Sequence, residues 1–393
     1  MTCRIAVIAD DLSGAAEVGA VARNCGLTAQ VNIDGSSDSE AQVLVVDTDS
    51  RWRDGPSAAV AVESAARRLS GFDLVYKKVD SVLRGPVCHE LLATMKPLQC
   101  KRTLLVPANP SFGRIIRDGS YLVDQVPLDQ TEFAFDPEHP ARSARVVELL
   151  DMLPQVPVAV LRLEEAFPES GIAIGEATNE SDLATWAKRL DEHTLPAGAV
   201  GFFRALLEVA GHESIGVASS STFTAACGST LVVTGSRSDQ ARVNLARFRD
   251  AGYPVLEMPQ DLESDGSVAV ATGRWSNTIL SALQDHKTVL VCISEKYEKM
   301  VLPRRLLESL ILSVKQVVNR IPIDHLVVEG GATASSLVRQ LGWKRFYVGG
   351  SWSAQFPGVV GLSVVGEAAP RLTIKPGSYS WPPDLLSTSD KNK

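Results

Sequence analysis

Cysteine is scarce in this 393-residue sequence, and it is not arranged for chemistry. Cys3, Cys25, Cys88, Cys100, Cys227 and Cys292 are scattered without a C-x-x-C pair, so neither a zinc site nor a disulfide framework is expected. Long apolar runs are missing too, since none approaches the roughly 18 residues of a membrane span. The run Ile5 to Ala9 is stopped at once by Asp10 and Asp11, too short for a secretory signal. Basic charge is not in excess: 39 Lys and Arg stand against 46 Asp and Glu, a net charge of -7. That argues against nucleic acid or an anionic membrane surface as the main partner, because both require a basic face. The six histidines do not pair at ligand spacing, and metal ligands stay open. Also lacking are the G-x-x-x-x-G-K-[ST], G-x-G-x-x-G, G-x-S-x-G and H-E-x-x-H motifs, which takes weight from the commonest nucleotide folds and hydrolases. These absences point to a reduced, cytoplasmic enzyme of small molecules.

What is there is ordinary globular material, 45% hydrophobic and 22% charged. At roughly 150 residues per domain the length predicts two domains with separate cores. Short apolar runs at Ile5–Ala9, Val43–Asp47, Leu74–Val79 and Thr103–Pro107 alternate with helical patterns at 13–25, 57–70 and 86–96. A hairpin-like excursion follows at 117–128, and the alternation resumes through 141–153, 157–162 and 181–190. Ala218–Thr224 is small and polar and reads as a linker. Beyond it strands at 231–234, 255–258, 288–293 and 325–329 alternate with helices at 238–251, 271–285, 303–319 and 333–341. Continuous apolar runs separated by helices predict an α/β fold of two domains, each a mostly parallel sheet flanked by helices. The boundaries are 1–228, 229–383 and a polar tail at 384–393.

The chemistry-bearing residues gather where strands end, the edge at which open α/β sheets bind ligands. The first strand ends Ala9-Asp10-Asp11-Leu12-Ser13-Gly14, with Ser13 read as the helix N-cap. Capping and dipole compensation explain one Asp and leave the other open to function. The second ends Thr48-Asp49-Ser50-Arg51, followed by Trp52, which either lines the site or packs. The third reads Lys77-Lys78-Val79-Asp80-Ser81-Val82-Leu83-Arg84-Gly85, and the fourth runs into Pro107-Ala108-Asn109-Pro110-Ser111-Phe112-Gly113-Arg114. Carboxylates for sugar hydroxyls and cations for a carboxylate or phosphate predict a polar, anionic ligand. In the second half Thr234-Gly235-Ser236 and Gly330-Gly331-Ala332-Thr333 each join a strand to a helix, a junction that offers backbone N–H groups to phosphate.

In these stretches the chain resembles the four-carbon acid sugar kinase family along nearly its whole length. The family's A-D-D-x-[ST]-G is Ala9 to Gly14, its T-x-[ST]-R is Thr48 to Arg51, and its K-x-D-S-x-L-R-G, the most specific, is Lys78 to Gly85. P-A-x-P-x-x-G-R is Pro107 to Arg114 with Asp118-Gly119 beyond it; G-S is Gly235-Ser236, G-G-x-T-[AS] is Gly330 to Ala334, and the closing K-x-G is Lys375 to Gly377. Two places depart from the pattern. Ala332 stands where an acidic residue commonly follows the glycines, and Lys375-Pro376-Gly377-Ser378-Tyr379-Ser380 replaces K-S-G-x-F-G.

The resemblance implies an ATP-dependent kinase, with Mg²⁺, that phosphorylates a hydroxyl of a sugar acid such as a threonate, erythronate or oxo-tetronate. The acid sugar would lie on residues 1–228 and ATP on 229–383, with the active site in the cleft between them. Asp10, Arg51, Asp80, Ser81 and Arg84 are implied for substrate, and Ser236, Gly330, Gly331, Ala332, Thr333 and Gly377 for nucleotide. Among these, Asp80 is read as the base, Asp10 as the orienter of hydroxyls, and Arg51 and Arg84 as the clamp on the substrate carboxylate. An acid-sugar-binding homologue without phosphoryl transfer and a non-kinase enzyme acting on sugar acids are the alternatives. A homodimer is allowed for, with the oligomeric state itself open.

Overall fold

Runs of Val, Ile and Leu flanked by acids, glycines or prolines form the strands, and the alanine-rich stretches between them form the helices. The computed structural model describes residues 4–136, 139–151, 153, 155–214, 228–236, 239–260, 268–294, 303–353, 356–366, 369–377 and 380–382. The chain divides into two units, Met1–Gly216 and Val217–Lys393. The expected linker at 218–224 and the polar tail lie outside the described residues.

In the first unit, β1 (Ile5–Ala9), α1 (Leu12–Asn24), β2 (Ala29–Asn32), β3 (Val43–Asp47), α2 (Gly55–Leu69), β4 (Leu74–Lys78), α3 (Val87–Leu98) and β5 (Arg102–Val106) follow one another. An excursion then forms the three-stranded antiparallel sheet β6 (Arg114–Arg117), β7 (Ser120–Val123) and β8 (Val126–Pro127). After it come the single turn α4 (Val146–Leu149), β9 (Val158–Leu161), β10 (Gly171–Gly175), α5 (Glu180–Lys188), β11 (Thr194–Gly198) and α6 (Val200–Val209). The main sheet runs β2-β3-β1-β4-β11-β5-β10-β9, and its ladders are parallel.

Ala6, Ile8, Leu44 and Val46 on the sheet pack with Val62, Ala65, Ala66 and Leu69 of α2 and Ala93 of α3. Burying a side chain such as Val62 contributes roughly 1.5–3 kcal/mol. From β1 the chain crosses to β2 on one side, and from β4 it crosses toward β5 on the other. That reversal between neighbouring β1 and β4 is a topological switch point, where loops part and leave a crevice.

The second unit contains β12 (Thr230–Thr234), α7 (Asp239–Asp250), β13 (Val255–Glu257), α8 (Val268–Asp285), β14 (Thr288–Cys292), α9 (Pro303–Val318), β15 (His325–Glu329), α10 (Gly331–Leu341), β16 (Arg345–Ser353), β17 (Phe356–Val364) and β18 (Arg371–Lys375). Its strands run β13-β14-β12-β15-β18-β17-β16. The first five are parallel, and β17 is antiparallel to both β16 and β18. The α/β reading therefore holds for both units.

The sequence reading passed over β2, β10, β11 and the closing strands β16 to β18. β11 reads Thr-Leu-Pro-Ala-Gly, and a proline with a following glycine argues against an interior strand. It nevertheless lies between β4 and β5, Pro196 standing opposite Leu104. Among the described residues no helix is long and apolar enough to cross a membrane. Cys25, Cys88 and Cys100 are free thiols.

Candidate functional site

The loops leaving β1, β3 and β4 bring Asp10, Arg51, Asp80, Ser81 and Arg84 into one cluster at the switch point. Asp10 follows the last residue of β1 and is buried. Asp11, not Ser13, caps α1: its Oδ1 accepts from the Gly14 amide at 2.8 Å, and Ser13 donates its hydroxyl to Oδ2. The correction has a simple cause, since Asp11 holds the extended backbone of a cap while Ser13 is already helical. With Asp11 committed to the helix, Asp10 is the carboxylate that capping does not explain.

Arg51 reaches across from the loop after β3. Its Nε donates to Asp10 Oδ2 at 2.7 Å, and its Nη2 donates to Asp10 Oδ1 at 3.1 Å and Asp11 Oδ1 at 2.7 Å. Its Nη1 lies 3.7 Å from Asp80 Oδ1. Asp80 is gripped by Arg84, whose Nε donates to Oδ2 and whose Nη2 donates to Oδ1, both at 2.9 Å. The loop curls to allow this. Leu83 has φ +63, and the Arg84 amide donates to Asp80 Oδ2 at 3.1 Å. Gly85 has φ +92, and a Cβ there would stand 2.8 Å from the Arg51 carbonyl oxygen, so a side chain is excluded. Arg84 Nη1 donates onward to Asp136 at 3.1 Å.

Burial alone would raise both carboxyls. At Asp80 the attraction of Arg84 and Arg51 outweighs it and holds the group well below the usual carboxylate range. At Asp10 the attraction of Arg51, with Lys77 and Lys78 behind it, also gives a net lowering. Both are therefore acceptors at neutral pH, set by cations that are themselves fixed. The Ser81 hydroxyl accepts from Arg114 Nη1, and its carbonyl accepts from Tyr121 Oη at 2.5 Å.

Several members of this region had no distinct sequence signal. Lys77 is fully buried and pairs with Glu90 Oε2 at 2.8 Å beneath the loops. Asp136 arrives from the excursion after β8, far away in sequence. His139, given no role by its sequence context, stacks on Trp52 with ring centres 5.1 Å apart. A cavity of about 390 Å³ beside them is lined by Arg84, Gly85, Phe133, His139 and Arg142 among others.

In the second unit the nucleotide candidates converge in the same way. Gly330 precedes α10 with φ +101, and no side chain caps that helix. A Cβ on Gly235 would lie 2.4 Å from Thr333 Oγ1, one on Gly330 3.3 Å from the same atom, and one on Gly377 2.9 Å from Ser236 Oγ. These residues thus form a close-walled cradle at the N-terminus of α10, whose first amides have no intrahelical partner. The chemistry of such a cradle fits phosphate.

Beneath it Lys375 Nζ pairs with Glu329 Oε1 at 2.8 Å, Asn244 donates to that oxygen at 3.0 Å, and the Gly330 amide donates to the Lys375 carbonyl at 2.8 Å. Ala332 is exposed on the first turn of α10. Among the described residues no group of three or more His, Cys, Asp or Glu is gathered to hold a metal.

Comparison with known proteins agrees with this division. The family model described as a sugar-binding N-terminal domain matches residues 5–206, and that described as a nucleotide-binding C-terminal domain matches 231–379. A D-threonate kinase of Salmonella typhimurium is 34% identical over 224 residues, covering 52% of this chain and 53% of that protein. The match to this relative thus spans about half of its length. A 3-oxo-tetronate kinase of Methylobacterium radiotolerans is 25% identical over 419 residues, covering 96% of this chain and 97% of that protein. A solved Haemophilus influenzae protein shares the fold at 20% identity with a TM-score of 0.70, covering 95% of this chain and 97% of that one. With a sugar-binding domain at its N-terminus and a nucleotide-binding domain after it, the chain belongs to the four-carbon acid sugar kinase family.

Proposed function

We propose that this protein transfers the γ-phosphoryl group of ATP to a hydroxyl of a small sugar acid of about four carbons, such as a threonate, erythronate or oxo-tetronate. The observation that carries the reading is the arginine–carboxylate cluster at the switch point: two buried carboxylates, Asp10 and Asp80, each held by a two-point arginine contact. Carboxylates fixed as acceptors bind and orient vicinal hydroxyls, and phosphoryl transfer asks a protein mainly for positioning and charge neutralisation. The acid sugar belongs to residues 1–228 and ATP to 229–383, where the amides of Gly330 to Thr333, with Ser236 and Gly377, cradle the phosphates. Mg²⁺ neutralises charge on those phosphates when bound.

Asp10, Arg51, Asp80, Ser81 and Arg84 form the substrate site. Asp80 accepts the hydroxyl proton, late in the reaction, which its low proton affinity allows because the loose transition state develops little nucleophile charge. Asp10 orients a neighbouring hydroxyl. The place of action is the cytoplasm, where ATP is available.

The test is a panel of four-carbon acids assayed for ADP release, with products identified by mass spectrometry. Acid-dependent ADP release with a phosphorylated acid is expected. Binding of acid and ATP without turnover would instead mark a homologue that has lost transfer, and turnover without ATP would mark a different enzyme.

A further inference from the structure

Tyr121 of β7 is fully buried in one apolar cluster with Val82, Leu83, Val87 and Leu105, and it carries a hydroxyl into that place. A buried hydroxyl needs a partner. Here the O–H donates to the Ser81 carbonyl at 2.5 Å, with the Pro107 carbonyl further off at 3.5 Å. Burial pushes the phenol well above its ordinary pKa, and the charge of Asp80 adds to the effect, so the group stays a donor at neutral pH.

The carbonyl that Tyr121 holds belongs to the same peptide unit as the Val82 amide, and that amide donates to Asp80 Oδ2 at 3.3 Å. In a planar trans peptide the C=O and N–H point to opposite sides, so fixing one fixes the other. Tyr121 is thereby linked to the Asp80 carboxylate through one rigid unit. The rest of the turn closes on Asp80 itself. The Leu83 amide donates to the Asp80 carbonyl at 3.0 Å, and the Arg84 amide donates to Oδ2 at 3.1 Å. Those bonds shape the turn, whereas contacts from outside it decide where it sits. Leu83, at φ +63, adopts a backbone that a bulky residue takes only where its surroundings impose it. Tyr121 is well anchored for this task. Its amide donates to the Ala144 carbonyl at 2.7 Å, and Ile116, its partner on β6, donates to the Ala177 carbonyl at 2.9 Å.

Resting on the reading that the protein phosphorylates a sugar acid, we propose that Tyr121 is a positioning residue for the transfer, holding the Ser81–Val82 peptide so that Asp80 stays aimed at the reacting hydroxyl. It acts through Asp80 and touches neither substrate. The three-stranded excursion thus serves the chemistry from behind the loop, by fixing one peptide plane.

The test is steady-state kinetics of the full-length protein for the wild type, Tyr121→Phe, Asp80→Asn and the double variant, with urea unfolding beside it. Tyr121→Phe keeps the ring in the core and removes only the donor. Its kcat is expected to fall about tenfold or more, with the KM for ATP unchanged. In the double variant the loss should be no greater than in Asp80→Asn alone, because the two residues act as one unit. Val146→Ala, in the same apolar cluster, should lose stability and keep its kcat. Losses that add in the double variant, full activity in Tyr121→Phe, or a rise in acid KM alone would each overturn the proposal. A kcat that falls in Val146→Ala as it does in Tyr121→Phe would show a merely structural role and overturn it too. A wild type without acid-dependent ADP release would instead overturn the kinase reading, and this assignment with it.

Discussion

Arg51 and Asp10 meet in a buried two-point contact, Nε to Oδ2 at 2.7 Å and Nη2 to Oδ1 at 3.1 Å, that ties the loop after β3 to the end of β1. Asp11 and Asp80 depend on the same guanidinium. Removing it would leave three carboxylates short of a counter-charge in a buried place. We expect Arg51→Met to lose about 3–5 kcal/mol of stability, measured by urea unfolding. Arg51→Lys keeps the charge but not the fork, and should fall between it and the wild type. A variant as stable as the wild type would show that the contact is not what holds the loops.

Asp80 and Asp10 should separate kinetically. Asp80→Asn is expected to lower kcat by about a hundredfold or more with a modest change in KM, because it removes the proton acceptor. Asp10→Asn should raise KM more than it lowers kcat, since an orienting contact acts on the bound ground state as well. Steady-state kinetics with the best acid of the panel decides the matter. The reverse pattern would exchange the roles, and full activity in Asp80→Asn would remove that residue from the mechanism.

Gly331 begins α10 at the junction proposed to cradle phosphate. Gly331→Val would crowd the path to the free amides of the first turn. ATP affinity should drop at least about tenfold while acid binding stays intact, because the acid site is built on the other unit. Unchanged ATP affinity would move the nucleotide elsewhere.

His325 gives the second unit an acid sensitivity of its own. It opens β15, is buried, and lies with Nε2 2.8 Å from Thr373 Oγ1. Burial, helped by Arg371, lowers its pKa to about 4. Between the ordinary value near 6.5 and that point the unfolded chain takes up a proton that the native chain refuses, so stability falls as pH drops through this window. The total is on the order of 3 kcal/mol. Thermal midpoints recorded from pH 7 to pH 4 should decline less in His325→Gln than in the wild type. Equal declines would assign the loss to other groups.

The cluster at the switch point was legible because its members sit directly after apolar strands, where Asp10, Arg51 and Asp80 break the hydrophobic pattern. What those side chains do to one another was not legible. The sequence presents Arg51 and Arg84 as free cations for a ligand, whereas in the fold each faces a carboxylate brought by another segment or by its own curled loop. Lys78 and Lys77 are neighbours with no distinguishing signal, yet one pairs with Glu90 and the other has no carboxylate within 4.0 Å among the described residues. Strand content was missed for a related reason. β11 is held by β4 and β5 on either side, and that tertiary pairing overrides the local discouragement from Pro196 and Gly198.

The place of β11 also bears on how the chain comes together as it is made. β1 to β4 can pair as soon as residue 78 is available, but β5, finished at Val106, has only β10 and β11 as sheet neighbours. Its backbone N–H and C=O groups must wait for strands that begin at Gly171 and Thr194. Until then the half-built sheet presents β4 as an open edge carrying Tyr76, the kind of edge that invites pairing with another chain. Such long-range closure is slow compared with local structure. A chain stalled or truncated before Gly198 should therefore be prone to aggregation, while one reaching the end of α6 has every strand of this sheet to hand.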